Sequence, residues 1–480
     1  MDREVILPRE REPSLRIEDF GEVVSCYTEE EAIREASRCL QCKEPLCINS
    51  CPVNIDIKKF IAQIKKRDYK GAYFTIREKN NFPSICGRVC PAEYRCRKSC
   101  VLTKKDDTFA DKKAIQINFL ERFIGDYGVR NNLEATSLKD ERLSKFKVAV
   151  VGSGPAGLSV AGELARYGVK VVIFETLHKP GGVLRYGIPP FRLPEEILDG
   201  EIDYLKKIGV KIICSFIVGR TKTLEELFNE GFSAIFLGVG AGVPSLLGIK
   251  GENLSNVYSA NEFLTRVNLM KAYRFPDYHT PINIGRRIIV IGGGNTAMDA
   301  ARVAIRLQVM NKITPSVSVF YRRTEKEMPA RRLEIEHAKE EGVKFNFLVQ
   351  PKEFIGDKDG FVKRAVFLKC RLGEEDSSGR RRPVVIKDSD FIEDCDLIIV
   401  AIGLKPNQVV TKSVLGKLDI NKEGEIIVNP NTMETTFRGV FAGGDIVGGE
   451  GTVIEAMGMG KRASRGIISY LLSCGEKFSP

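Results

Sequence analysis

Tryptophan is absent from this 480-residue chain, and histidine occurs only as His178, His279 and His337. Three scattered imidazoles give no metal-ligand spacing and no base beside a nucleophile, so zinc hydrolases and serine- or cysteine-type triads are excluded. No apolar run approaches the roughly 20 residues a membrane helix needs. The opening MDREVILPRERE has no apolar segment of a secretory signal. A soluble, cytoplasmic protein without membrane attachment is expected. Long blocks of one charge sign are also missing: Lys+Arg number 74 and Asp+Glu 63, a net of +11 spread through the chain. No basic tract is interleaved with aromatics, so nucleic acid is not expected as a partner. An acidic protein or phosphorylated cofactors suit the balance better. Only one C-x2-C pair occurs, Cys39 and Cys42, where a four-thiolate zinc site usually wants two.

What the chain does have is cysteine in a particular order. Nine of its 13 cysteines fall between Cys26 and Cys100. Eight of those form two runs, Cys39-x2-Cys42-x4-Cys47-x3-Cys51-Pro52 and Cys86-x3-Cys90-Pro91-x4-Cys96-x3-Cys100. Short gaps with a proline beside a thiolate are the spacing of iron–sulfur ligation, where the chain wraps closely round a cluster of soft-ligated iron. Two interlocked 4Fe–4S clusters are expected. A helix is expected from Glu29, capped by Thr28 with Glu31 three residues on. A second is expected over Ile55 to Lys66, with Ile57, Phe60, Ile61 and Ile64 on one face and Lys58, Lys59, Lys65 and Lys66 on the other.

Two dinucleotide fingerprints follow. Strand-like Lys147–Val151 runs into Gly152-Ser153-Gly154-Pro155-Ala156-Gly157, then a helical stretch, then a second strand ending in Glu175. In that context the glycines make the turn, admit the pyrophosphate and let helix and strand pack, while the acid faces the ribose. The glycine-dense stretch after it, with Gly182, Leu184 and Arg185, is assigned to the flavin's surroundings. The second fingerprint has Gly292, Gly294, Asn295 and Thr296, with Ala297 in the third glycine's place. Its next strand ends in Arg322-Arg323 rather than an acid, which favours a 2′-phosphate and therefore NADP(H). Gly444 and Asp445, then Gly451 and Thr452 before a helix, are placed for a flavin ribityl or phosphate. The fold class expected is α/β: two Rossmann-like domains, for FAD and NADPH, preceded by an α-helical iron–sulfur domain. The divisions are 1–143 for the clusters, 144–283 and 395–480 for a discontinuous FAD domain, and 284–394 for the NADPH domain. A nicotinamide carries electrons in pairs, a cluster accepts them singly, and a flavin mediates between the two.

Cys39 to Cys51, Cys90 to Cys100, the Gly152 loop, Gly292 to Asp299 and Gly443-Gly444-Asp445 together resemble the NADPH-dependent glutamate synthase small-chain family over nearly the whole chain. That family takes in the glutamate synthase β subunit, the large subunit of electron-bifurcating NADH-dependent ferredoxin:NADP oxidoreductase, and archaeal sulfide dehydrogenase large chains. The spacing of Cys90-Pro91, Cys96 and Cys100 resembles the last two. The resemblance implies that Cys39, Cys42, Cys47 and Cys100 hold one cluster. Cys51, Cys90, Cys96 and Glu121 would hold the other, with Cys86 a bystander. It implies a bifurcating FAD, a smaller flavin/iron–sulfur subunit completing a heterodimer, and ferredoxin as redox partner. The alternatives within the family are an electron-input chain for an amidotransferase and a sulfide dehydrogenase chain. A non-enzymatic carrier scaffold would not need the intact NADP(H) fingerprint.

Overall fold

The computed structural model describes residues 4–103, 113–133, 137–376, 379–414, 416–449 and 451–476. The N-terminal part is helical. Thr28 and Glu31 form a reciprocal capping box at the helix Glu29–Ser37. In the helix Ile57–Lys65, Asp56 caps Lys59 N, and Ile57, Phe60, Ile61 and Ile64 are the buried face. Each such side chain stabilises the fold by about 1.5–3 kcal/mol on burial. Helices Pro83–Val89 and Ile117–Arg130 pack so closely that a Cβ on Gly87 would lie 2.5 Å from Arg122 N.

Two parallel five-stranded sheets follow. In the first, the strand order is Val440–Ala442, Ala234–Leu237, Lys147–Val151, Lys170–Phe174, Lys211–Ile213. The second runs Val257–Ser259, Leu397–Val400, Ile288–Ile291, Val317–Tyr321, Lys344–Phe347. Each fingerprint strand is central, with its successor on one side and a later strand on the other. This places each glycine loop at a topological switch point, where such sheets bind ligands. A four-stranded antiparallel excursion, Val349–Asp394, packs over the second sheet through Phe320, Phe354 and Phe367. Strands Ala241–Pro244 and Leu404–Pro406 pair as a two-stranded ribbon joining the two sheets.

The topology corrects two expected boundaries. Val257–Ser259 and Leu397–Val400, assigned from sequence to the FAD domain, are strands of the second sheet. The second domain therefore opens near residue 254 and closes near 401, not at 284 and 394. Buried parallel strands read alike in sequence, because both faces are covered and no alternation marks which sheet they join.

The parts meet at a buried knot of ion pairs. Glu341 accepts from Arg302 at 2.8 and 3.0 Å, from Arg306 at 2.7 and 3.1 Å, and from Arg16 of the N-terminal segment at 2.9 Å. Arg192, from the first dinucleotide domain, bonds Asp299 in the helix of the second through both carboxylate oxygens. Burial pushes the Glu341 carboxyl up, but Arg302 and Arg306 outweigh it and hold it at about 2. No helix among the described residues is long and apolar enough to cross a membrane.

Removing one arm of this knot strands the others. Arg302→Met is expected to cost about 3–5 kcal/mol, the range for a broken buried pair, measured by urea denaturation. Glu341 ionises at about 2 in the fold and near 4.3 in an unfolded chain. Its contribution is complete above the unfolded value and is lost as pH falls towards the folded one. Wild-type stability is therefore expected to step down between those two values, and the step is expected to shrink in Arg302→Met.

Candidate functional site

The expected ligands gather in two places. Cys39, Cys42, Cys47 and Cys100 line one cavity at the protein surface, with Leu40, Leu46, Lys58 and Val101 at its edge. The turn that brings Cys39 and Cys42 round passes through Gln41 in the left-handed region. Gln41 Nε2 donates to Cys39 Sγ at 3.4 Å and to Lys58 O at 3.2 Å. Burial raises the Cys47 thiol to about 11, and the neighbouring Cys100 and Cys39 add to it.

Cys51, Cys90 and Cys96 form a deeper set with Glu121. Each thiol is raised, first by burial, and Glu121 adds to the rise at each. The Glu121 carboxyl is pushed by burial up to about 8, against the lowering hydrogen bond from Asn80 Nδ2 at 2.5 Å. A buried carboxylate whose partner is one neutral amide, beside three buried thiols, lacks positive charge; iron ligated there would supply it. Among the described residues, no three cysteines bring their sulfurs within 4.8 Å of one another. Four thiolates on one zinc ion sit nearer, since Zn–S is about 2.3 Å. Both sets thus suit a cluster rather than a single ion.

Cys86 sits one helical turn before Cys90, fully buried. Its Sγ lies 3.7 Å from Asn80 Oδ1 and 3.4 Å from Met457 Sδ. Asn80 therefore touches both Glu121 and Cys86. Nothing in the sequence marks it, because its role depends on two residues from different helices.

The first glycine loop is built for close approach. A Cβ on Gly157 would fall 2.0 Å from Gly152 O, and one on Gly152 (φ +96°) 2.5 Å from Gly238 O. Above Gly154 there is nothing within 4 Å, an open cradle at the N-terminus of the helix Pro155–Arg166. Gly182, with φ +54°, lays its backbone on Gly154, where its Cβ would meet Gly154 Cα at 2.8 Å. Ala156 packs on Gly444. Glu175, expected to face the ribose, accepts from Ser153 N at 2.8 Å, from Ser153 Oγ, and from Leu177 N at 2.8 Å, so both its oxygens already bond the chain. Leu184 is buried. Arg185 bonds Pro180 O at 2.7 Å and pairs with Asp199. Burial pushes the Tyr186 phenol up to about 12, and Asp445 and Glu175 add to it. Tyr186 was missed, although it stands in the same glycine-dense stretch. Arg185 Nη1 and Thr452 Oγ1 are buried without a hydrogen-bond partner. Two orphaned donors round an open glycine cradle fit a bound flavin nucleotide.

The second loop repeats the arrangement with Gly292 (φ +143°) and an open Gly294. Thr296 is exposed, and Asn295 Oδ1 accepts from Arg331 N at 2.8 Å. The two arginines expected at the 2′-phosphate part company. Arg322 is exposed. Arg323 turns inward onto Asp376 and Arg381 O, each at 2.7 Å, and is not available to a ligand. Both lie in the bend just past the strand Val317–Tyr321, and the bend turns only Arg323 toward Asp376.

The inner cysteine set abuts the flavin elements. Met457, which touches Cys86, lies in the long helix Val453–Glu476 that follows Thr452, and its carbonyl accepts from Ser159 Oγ at 3.4 Å. A Cβ on Gly458 would lie 3.1 Å from Pro52 O, next to Cys51. The inner set thus packs on the helix that follows Thr452, and the outer set lines a cavity at the surface. Gly157→Ala is expected to lower flavin retained per chain about tenfold or more, since forced overlap costs about 1–3 kcal/mol. Flavin absorbance after desalting checks it.

Residues 16–133 match the family model of dihydropyrimidine dehydrogenase domain II, 4Fe-4S cluster, and residues 146–460 that of pyridine nucleotide-disulphide oxidoreductase. The chain is 34% identical over 478 residues to the NADPH glutamate synthase small chain of Azospirillum brasilense, covering 98% of this chain and 95% of that one. It is 37% identical over 450 residues to the NADP(+)-dependent formate dehydrogenase subunit beta of Moorella thermoacetica. That match takes in 88% of this chain but only 60% of the longer relative. Mycobacterium tuberculosis FprA in complex with NADPH shares the fold, with a TM-score of 0.58 and 19% identity over 69% of this chain and 86% of that one.

Proposed function

The chain belongs to the glutamate synthase small-chain-like family of NADPH-dependent, FAD-containing oxidoreductases with a 4Fe-4S domain, and from that premise we propose that it is the large subunit of an electron-bifurcating NADH-dependent ferredoxin:NADP oxidoreductase. The reading gives it two 4Fe–4S clusters. Cys51, Cys90, Cys96 and Glu121 hold the inner one, and Cys39, Cys42, Cys47 and Cys100 the outer one. The observation that carries the path is the packing of the inner set on the flavin helices, through Cys86 on Met457 and Pro52 on Gly458. A bound flavin supplies the exchange between the nicotinamide's electron pair and the clusters' single electrons.

The chain's own residues do the rest. Arg322 holds the 2′-phosphate and Gly294 admits the pyrophosphate of NADP(H). Gly154 and Gly182 clamp the FAD phosphates, Glu175 and Asp445 take its hydroxyls, and Arg185 Nη1 and Thr452 Oγ1 donate to it. Leu184 keeps water from this space. Glu121, harder than a thiolate, sets the inner cluster's potential apart from the outer one's. At the surface, Leu40, Leu46 and Val101 are more than half exposed round the outer cavity, with Lys58 in its wall. An apolar contact with a lysine in its wall suits an acidic electron carrier such as ferredoxin. A smaller flavin/iron–sulfur subunit completes the heterodimer. The second reading, an electron-input chain for an amidotransferase, is favoured by the near full-length match to a glutamate synthase small chain.

Anaerobic affinity purification of the native complex separates the two. A small flavin/iron–sulfur partner supports the first reading, and a large amidotransferase chain replaces it with the second. Cys100→Ser is expected to remove one paramagnetic cluster signal and leave the other reducible by NADPH. Cys96→Ser is expected to remove the other and to stop reduction of the outer cluster. Undiminished reduction of the outer cluster in Cys96→Ser would sink the proposed path. Arg322→Ala is expected to raise the KM for NADPH about tenfold or more, the worth of a charge-assisted hydrogen bond, and to leave that for NADH unchanged. Arg323→Ala is expected to lower stability without changing the ratio of the two KM values.

A further inference from the structure

One short turn touches both the second glycine loop and the inner cysteine loop, without passing through the flavin site. Ala330 N donates to Gly293 O at 3.2 Å and Arg331 N to Asn295 Oδ1 at 2.8 Å. Pro329 Cγ stands 4.0 Å from the place a Cβ would occupy on Gly294. On its other side, Arg331 Nε donates to Glu93 Oε1 at 3.0 Å and Nη1 to Arg88 O at 3.1 Å. Tyr94 Oη donates to Ala330 O at 3.1 Å. Glu93 and Tyr94 belong to the single turn Ala92–Tyr94, between Cys90 and Cys96.

We propose that Arg331 is a positioning residue through which occupancy of the second glycine loop adjusts the surroundings of the inner cluster, in parallel with electron flow through the flavin. The proposal rests on the reading of Gly292–Thr296 as the nucleotide loop and of Cys51, Cys90 and Cys96 as ligands. Arg331 is 2% exposed, and its fork is held at two points on the cysteine side, so a displacement of the turn is passed on rather than absorbed by solvent. Glu93 Oε2 is buried with no partner. The carboxylate thus has a second oxygen to present when the fork moves, and both charges act on Cys90. Hydrogen bonds and charges round a cluster's sulfurs set its potential. Coupling between sites is reciprocal, so the nucleotide binds the two oxidation states of the inner cluster with different affinities.

The test uses the full chain with its flavin and clusters, and 2′,5′-ADP as probe, because it fills the phosphate sites and carries no electrons. In wild type, saturating 2′,5′-ADP is expected to change the inner cluster's reduced-to-oxidised ratio at fixed potential about fivefold or more, the low end of ordinary coupling between sites. Its paramagnetic line shape should change too, and the outer cluster's should not. In Arg331→Met with Glu93→Gln, made together so that no buried carboxylate is stranded, the probe still binds by calorimetry and the shift disappears. Arg331→Lys keeps the charge on Glu93 and is expected to return part of it. Tyr94 is 44% exposed, so Tyr94→Phe assembles in any case and is expected to show a reduced shift. A bound probe with no shift in wild type, or a full shift in either the double variant or Tyr94→Phe, overturns the proposal. Absence of probe binding overturns the nucleotide reading beneath it, and retention of the inner signal in Cys96→Ser overturns the ligand reading.

Discussion

The buried carboxylate of Glu341 is the constraint on which the arrangement depends. Three guanidinium groups converge on it from two parts of the chain: Arg302 and Arg306 from the second dinucleotide helix, and Arg16 from the N-terminal segment. Arg306 also lies 3.8 Å over the ring of Phe191, which belongs to the first dinucleotide domain. A buried pair is weak evidence for stability, but it is costly to break, because each group is left uncompensated. Together with Arg192 on Asp299 and Arg331 on Glu93, it fixes the second domain against both the first domain and the helical one. The two glycine loops and the inner cysteine loop are thereby tied into one packed body.

The electrostatics of the cysteine sets work in the opposite direction. Burial raises the Cys96 thiol and the Glu121 carboxyl, and at Cys96 the neighbouring cysteines and Glu121 add to the rise. A cluster bound there would offset these penalties together, because its ligands bind deprotonated. The contrast with the knot is informative. There burial is offset by guanidinium charge from the chain itself, and here the offset must come from iron.

Much of this was legible in the sequence where the signal is local. Glycine loops between a strand and a helix declare themselves, because only glycine admits the close contacts at Gly152 and Gly157. The cysteine runs are legible from their spacing. The division of the cysteines into an inner and an outer set was not legible from spacing; it came from family resemblance. Their nearness to the flavin helices was not legible either, because Cys86 meets Met457 across 371 positions. The domain boundaries failed because Leu397–Val400 is as apolar as any central strand and carries no mark of its sheet. Arg322 and Arg323 read as one basic pair, and only the bend after the strand Val317–Tyr321 separates the exposed one from the one paired with Asp376. Arg331 left no trace beforehand, since its partners come from two other segments.

The edge strand Val440–Ala442 and the helix Val453–Glu476 complete a sheet and a wall that the first half of the chain leaves open. Their lateness has a consequence for biosynthesis. The ribosome emits Cys86 first and Met457, which packs on it, 371 positions later. At about 5–20 residues per second, that interval is on the order of tens of seconds. Until it ends, the face of Cys86 that Met457 covers in the finished fold lacks that neighbour.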